Sequence, residues 1–458
     1  MPPASETAAT SSGLVHGYIA PQMSGTSTCA CCVNGVDRAT IVGSNVNLAG
    51  AFRHGAVNIL HVLSQHEVTG AETYAAALVA RQARDGHRVV VVSDTLATPV
   101  DALYVPMPIG RRGYPQRLRN VVALRRLIRR CRIELVHAHS RAASWVAFFA
   151  TRLSRVPLVS SLHILQSPHL SIRLFSVYGE EAVSVTRNVR AQAIRVLGLP
   201  PHRVHLVRNG VDCEWLDGAP GRDAARRALD LPPDAPVVVL LGRLSGRRTA
   251  VAVAAVAEIF PRVRAAVGDA RLLVVGGMAM PPEFPALVAA VNGRLGAEAI
   301  RHVGHQRDVR PYLAAADVVI AAGRSAIEAL VIGRPVVALG EACCVGVVSA
   351  ETAPAAMRTN FGDFAAPGRP DPEPVASDVV ALLENRQRRL ELAGWGSAFA
   401  RRHYDVGLVW RRLQDVYRSA LAGKMRVGFP HASASPSGPP SPGPEAPAEP
   451  LAVEPGSR

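Results

Sequence analysis

From Val57 onward, short β-branched runs alternate with helical ones, and the alternation stops once and restarts. "VNILHVL", "RVVVVS", "ELVHAHS", "PLVSSLH" and "AVSVT" read as strands. Helical stretches such as "GAETYAAALVARQARDGH", which ends near Gly86, separate them. After "NGVDCEWLDGAPGRDAARRALDLPPDAP", rich in Gly, Pro and Asp, the pattern resumes with "VVVLLGRLS", "RLLVVGG", "IRHVGH", "DVVIAAG" and "PVVALG". Strand–helix alternation builds parallel sheets covered by helices on both faces. The chain is therefore expected to be α/β, with two doubly wound, Rossmann-like domains facing a central cleft. Its 458 residues exceed one hydrophobic core, and 48% apolar content with only 5% aromatics supplies two such cores.

The expected division is a disordered arm over 1–54, a first domain over 55–220, a second over 221–403 and a C-terminal helix over 404–424. A Pro/Ser-rich tail over 425–458, including "ASASPSGPPSPGPEAPAEP", has little to bury and is expected to be disordered. No run of about 20 apolar residues suggests a membrane span, and the first 25 residues lack the basic and apolar regions of a secretion signal. Seven cysteines, an odd number, fit a reducing cytoplasm. "CACC" (Cys29, Cys31, Cys32) has the wrong spacing for a zinc knuckle and reads as ordinary cysteines. The net charge of +15 is almost all arginine, with Lys424 the sole lysine, which looks like a coding bias. It still favours anionic partners.

Ligands of doubly wound sheets sit beyond the carboxyl ends of the strands, so the residues there matter most. Neither GxGxxG nor GxxxxGK[ST] occurs, which disfavours dehydrogenases and P-loop enzymes. "LLGRLSGRRT" sets Arg243 directly after a strand, with Arg247 and Arg248 close behind. Such arginines either grip two phosphate oxygens or lie in an exposed loop. In "VVIAAGRSAIEAL", Gly323 ends a strand and Ser325 is expected to cap the next helix, whose free N–H groups make an anion site. Glu328, one turn in, is either a dipole partner worth about 0.3–1 kcal/mol or a ligand for sugar hydroxyls. His137, His139 and His163 follow strands and either pack as core or loop residues or face the cleft. "PQRLRNVVALRRLIRRCRIE" is a basic helix with one apolar face: an ordinary surface helix, or one that docks through 115–131 on anionic lipid. Aromatics are scarce in the basic stretches, which argues against nucleic acid.

"TGAETYAAALVARQARDGHRVVVVS", "ELVHAHSRAASWVAFFATRLSRVPLVSSLH", "VHLVRNGVD", "GRLSGRR" and "GRSAIEALVIGRPVV" occur in the order and spacing of family-4 glycosyltransferases with the GT-B fold. The resemblance runs from about Val57 to Leu421. It implies a retaining enzyme taking a sugar from a nucleoside-diphosphate donor, with no metal or cofactor. The first domain would bind the acceptor and the second the donor. Glu328 would match the ribose-binding glutamate, Gly323, Arg324 and Ser325 the diphosphate-binding helix start, and Arg243 the phosphate-binding arginine. Gly70 would match the glycine loop near donor and acceptor, and His163 the active-site histidine, with His139 beside it. Two departures stand out. Ile320 occupies the position of a second glutamate, eight residues before the first, and Arg248 replaces a lysine. The expected activity is transfer of a hexose-type sugar from a UDP- or GDP-sugar to a glycan or lipid-linked acceptor, in cell-envelope or exopolysaccharide synthesis. The alternatives are a nucleotide-sugar 2-epimerase of the same fold and an inactive homologue.

Overall fold

The computed structural model describes residues 40–42 and 56–426, apart from 65–69, 96–99, 101, 112, 167–175, 278–279, 297 and 365–370. Among the described residues there are two sheets, as the alternation requires. The first contains β1 (Thr40–Val42), β2 (Asn58–Val62), β3 (Arg88–Ser93), β4 (Ala102–Pro106), β5 (Leu135–Ala138), β6 (Leu158–Leu162), β7 (Glu181–Ser184) and β8 (Val204–Leu206). They lie in the order β1-β4-β3-β2-β5-β6-β7-β8. The second contains β9 (Val237–Gly242), β10 (Arg271–Gly276), β11 (Ile300–Gly304), β12 (Val318–Ala321), β13 (Val336–Leu339) and β14 (Cys344–Val347), ordered β11-β10-β9-β12-β13-β14. All pairings are parallel except β1 with β4 and β13 with β14, both at sheet edges. Runs such as RVVVVS and VVVLLG are buried on both faces, so valine and leucine fill them without alternation.

Strand order reverses between β2 and β5 in the first sheet and between β9 and β12 in the second. A crevice opens at each of these points because the helices on either side diverge to opposite faces. Helix α1 (Gly70–Arg84) follows β2, α2 (Tyr114–Arg130) follows β4, and α3 (Arg141–Arg152) follows β5. In the second lobe the helix Gly323–Val331 follows β12.

Several expectations change. Residues 40–42, placed in a disordered arm, form edge strand β1, and 425–426, placed in the tail, belong to the last helix; the remainder of that arm, with Cys29, Cys31 and Cys32, and the rest of the tail lie outside the described residues. β4, β8 and β14 add strands that the sequence reading did not assign. The segment read as a linker is packed. Val211, Cys213 and Leu216 join the second-lobe core, so the lobes change near Gly210 rather than at 220/221. Arg226 is buried there, its guanidinium donating to Asp317 Oδ2 at 2.7 Å and to the carbonyls of Ala315, Pro233 and Ala235. Such a charge is tolerated inside only because each guanidinium nitrogen has an acceptor, one of them a carboxylate.

The expected C-terminal helix forms, and where it packs is what the sequence left open. After the helix Arg386–Tyr404, which packs on the second lobe, the chain turns at Asp405 into the helix Val406–Arg426. This helix crosses back to the first lobe. Val409, Trp410, Leu413, Tyr417 and Ala420 pack with Ile59, Tyr74, Leu78, Leu135 and Val183. Trp410 Nε1 donates to Asp85 at 2.7 Å and Ser419 Oγ to Glu181 at 2.6 Å. An i, i+3, i+4, i+7 apolar stripe explains why it must cover a sheet, though not which one.

Candidate active site

The two reversal points face each other across one crevice of about 1050 Å3. Gly70, His139, Arg141 and His163 line it from the first lobe, and Arg243, Arg248, Arg324, Ser325 and Glu328 from the second. A Cβ placed on Gly70 would stand 3.9 Å from Arg324 Cβ, so α1 begins where the lobes come together.

The turn after β12 is built on glycine. Gly323 has φ +56°, a left-handed conformation that costs other residues a steric penalty, and its N–H donates to Asn360 O at 3.0 Å. A Cβ there would fall 2.6 Å from Asp363 Oδ2. Gly323 therefore shapes the wall rather than lining it. The helix starts earlier than expected: its N-cap is Ala322, without a side-chain cap, and Ser325 lies in the first turn. The expected Ser325 cap is thus corrected, because the turn at Gly323 sets the N-cap three residues sooner, at Ala322. Ile320 belongs to β12 and is buried in the second-lobe core, so in this backbone its position could not present a carboxylate to the cleft.

Glu328 is held, not free. Its Oε1 accepts from Arg324 Nε at 2.7 Å, one turn apart, while Arg324 Nη1 donates to Gly210 O at 2.9 Å. Arg324, expected to meet a donor, thus also aims the carboxylate and ties the helix to the chain entering the second lobe. Arg248 is engaged as well. It donates through Nε to Asp363 Oδ1 at 3.2 Å and lies 3.0 Å from Oδ2 through Nη2, with Glu341 at 3.8 Å. Burial raises the Asp363 pKa, an effect that Arg248 opposes; Arg243 opposes it too, which places its charge nearby. Asp363 and Glu341 were not among the expected site residues. "FGDF" lies far along the chain and carries no local signal of its placement.

Across the cleft, the histidines form a chain. His61, within β2, places Nδ1 2.8 Å from His139 Nε2; His139 Nδ1 lies 3.4 Å from His163 Nε2, and His163 Nδ1 3.0 Å from Asn209. His61 Nε2 meets Gln82 Oε1 at 2.8 Å. Burial lowers the His61 and His163 pKa values to about 4, and those of His137 and His139 well below the usual value. All four are therefore neutral at pH 7. His137, whose placement the sequence left open, turns away from the cleft: it binds Tyr417 OH at 2.7 Å and Ser161 Oγ at 2.8 Å. His61 was missed, although it is the only polar side chain between Ile59 and Val62 in a strand otherwise wholly apolar there. Asn209 was missed too, although it lies within "VRNG".

One wall thus carries guanidinium groups beside a helix tip and a fixed carboxylate, and the other neutral imidazoles. The first suits an anion with neighbouring hydroxyl groups; the second, neutral at pH 7, offers rings that each donate one hydrogen bond and accept another.

Residues 68–215 match Glycosyltransferase Family 4, and residues 235–385 match Glycosyl transferases group 1. D-inositol 3-phosphate glycosyltransferase 1 of Catenulispora acidiphila is 30% identical over 335 residues, spanning 63% of this chain and 73% of that protein. The crystal structure of a glycosyltransferase from Rickettsia africae superposes with a TM-score of 0.66 at 18% identity, covering 80% of this chain and 99% of the other. Anabaena HepE, solved with UDP and glucose, gives 0.60 at 18% identity, covering 79% and 100%.

Proposed function

From the premise that this chain belongs to glycosyltransferase family 4, with the GT-B fold, we propose that it transfers a hexose-type sugar, with retention, from a UDP- or GDP-sugar. The carrying observation is the single crevice in which Arg243, Arg248 and the Gly323–Val331 helix start face His163. In this reading the diphosphate lies against Arg243, Arg248 and the helix tip, whose N–H groups and dipole take the place of a divalent ion. Glu328 accepts from the ribose hydroxyls. The acceptor enters from the first lobe beside His139 and His163, and the leaving diphosphate takes the acceptor's proton, so the protein chiefly positions and stabilises. Arg248 reaches the diphosphate only by sharing itself with Asp363, which keeps its charge partly neutralised until a phosphate arrives.

A glycan or lipid-linked acceptor, used in cell-envelope or exopolysaccharide synthesis, is one reading. The Catenulispora relative favours a second, a small phosphorylated polyol, for which Arg141 at the start of α3 offers a first-lobe cation lining the cleft. A thermal-shift panel of nucleotide sugars tests the donor assignment. At 100 times its Kd a true donor adds about 2.7 kcal/mol of stability; a panel of UDP- and GDP-sugars without any shift would overturn it. Product analysis with UDP-N-acetylglucosamine alone separates transfer from 2-epimerisation, which needs no acceptor.

Membrane contact belongs to the same proposal. On α2, Tyr114, Leu118 and Val122 recur every four residues and are 77%, 64% and 42% exposed, an apolar stripe on the outer face of an arginine-rich helix. Its other face, Val121, Leu124 and Ile128, is buried in the first-lobe core. Among the described residues no helix is long and apolar enough to cross a membrane, so contact would be peripheral. Neutralising Arg125, Arg126, Arg129 and Arg130 together should abolish most binding to phosphatidylglycerol vesicles in a sedimentation assay. Unchanged sedimentation would leave α2 an ordinary surface helix.

A further inference from the structure

The first-lobe histidines do more than line a wall. His61, His137 and His139 bring ring nitrogens within 4.8 Å of one another, all buried, a grouping that could suggest a metal site. Their hydrogen bonds argue otherwise. Each of the six ring nitrogens already has a partner. His61 Nδ1 and His139 Nε2 stand 2.8 Å apart, closer than the roughly 3.3 Å that two nitrogens bound to one tetrahedral zinc at 2.0–2.1 Å would keep. The contacts instead form a wire, and counting its protons fixes how it must be set.

Three imidazoles, His61, His139 and His163, span four gaps between the Gln82 and Asn209 amides. Each gap needs one proton, and each neutral imidazole supplies one. Oxygens at both ends would leave one gap empty, so one amide must present its NH2 group. Gln82 is the end that sets the direction. Its Oε1 faces His61 Nε2 at 2.8 Å and its Nε2 faces Tyr417 OH at 3.4 Å. With the amide in this setting the Tyr417 hydroxyl donates to His137 Nδ1 at 2.7 Å, His137 Nε2 donates to Ser161 Oγ at 2.8 Å, and Gln82 Oε1 accepts from His61 Nε2–H. His61 Nδ1, now bare, accepts from His139 Nε2–H, and His139 Nδ1 from His163 Nε2–H. Asn209, at the mouth of the wire in the cleft, turns its amide to match, a rotation that heavy-atom positions do not distinguish.

We propose that Gln82, set against Tyr417 of the C-terminal helix, is a positioning residue that imposes one tautomer on the whole wire and so decides which nitrogen of His163 carries its proton in the cleft. Gln82 is buried within α1 and does not line the crevice, so it acts through His61 and His139. The last helix thus brings to the first lobe a polar contact as well as an apolar face, since its Tyr417 hydroxyl meets both Gln82 and His137. The inference rests on the proposed function only for the consequence at His163, because its test reads protons on nitrogen and needs no substrate.

Long-range 1H–15N correlation spectra of the full chain, labelled at histidine nitrogen and recorded at pH 7.5, assign each tautomer. In the unaltered protein, His61, His139 and His163 should all show protonated Nε2 and bare Nδ1. Gln82→Leu removes the acceptor, so all three should reverse together to the Nδ1–H form, against the preference of free imidazole, with Asn209 presenting its oxygen. Gln82→Glu restores an acceptor and should restore Nε2–H. Tyr417→Phe deletes one hydroxyl from a packed ring and frees the Gln82 amide, giving mixed tautomers in a protein that still folds. His163 carrying Nδ1–H in the unaltered protein would overturn the proposal, as would Nε2–H on all three histidines in both Gln82→Leu and Tyr417→Phe.

Discussion

Glu328→Ala is expected to lower UDP or GDP affinity about 10- to 100-fold by calorimetry, the cost of losing hydrogen bonds to a charged acceptor, about 1.5–3 kcal/mol. The carboxylate is almost wholly buried on the second-lobe wall, and Arg324 fixes one of its oxygens at 2.7 Å. A ribose meeting it finds an acceptor whose orientation is already set, so little ordering entropy opposes binding. Alanine also strands Arg324, which is mostly buried and keeps only its bond to Gly210 O; some thermal destabilisation should accompany the loss. Glu328→Gln separates the two effects. It preserves shape and one oxygen acceptor while removing the charge, and should bind nucleotide between the two extremes. If both variants bind nucleotide as the unaltered protein does, the ribose assignment is wrong and Glu328 serves only to hold Arg324.

Acidification should cost the fold more than any surface change. His61 and His163 titrate near pH 4 when folded, against 6.5 for a free imidazole, chiefly because burial disfavours the charged ring. The unfolded chain therefore takes up protons that the folded chain refuses. Stability is intact above about pH 6.5 and falls as the pH drops toward 4, by about 3 kcal/mol for each of these two histidines across that window. His137 and His139, lowered further, act in the same direction. Asp363 opposes them, since its pKa is raised in the fold, so protonation favours the folded state there. Four histidines outweigh one aspartate. Thermal unfolding followed from pH 7.5 to 4.5 should show Tm falling steeply below about pH 6, and His163→Gln should flatten that fall. A Tm unchanged between pH 7 and 5 would show that the rings are hydrated, and the neutral wire would fall with it.

How far the site could be read in advance depended on the kind of residue. Arg243, Ser325, Glu328, His139 and His163 all line the crevice. Each sits at the end of a recognisable strand, just beyond it, or in the first two turns of the helix that follows, where a doubly wound sheet delivers side chains to one edge regardless of what packs behind it. Partners were another matter. Nothing near Arg248 in the chain announces Asp363, 115 positions away, and nothing near His61 announces Gln82 or Tyr417. Those pairings follow from which helix covers which face, and a cap such as Ser325 was misplaced because the turn at Gly323 set the N-cap three residues early, at Ala322.

The sequence alone determined that there would be two parallel sheets, where each begins anew, and which strand ends would line the crevice between them. These follow from periodicity and short-range sterics, which act within a few residues. Only the tertiary structure decided that the last helix leaves the second lobe to cover the first, and that its Tyr417 reaches the histidines. An apolar stripe demands burial without naming its partner, because the hydrophobic effect has no direction, whereas hydrogen-bond geometry, which does, exists only once distant segments have met.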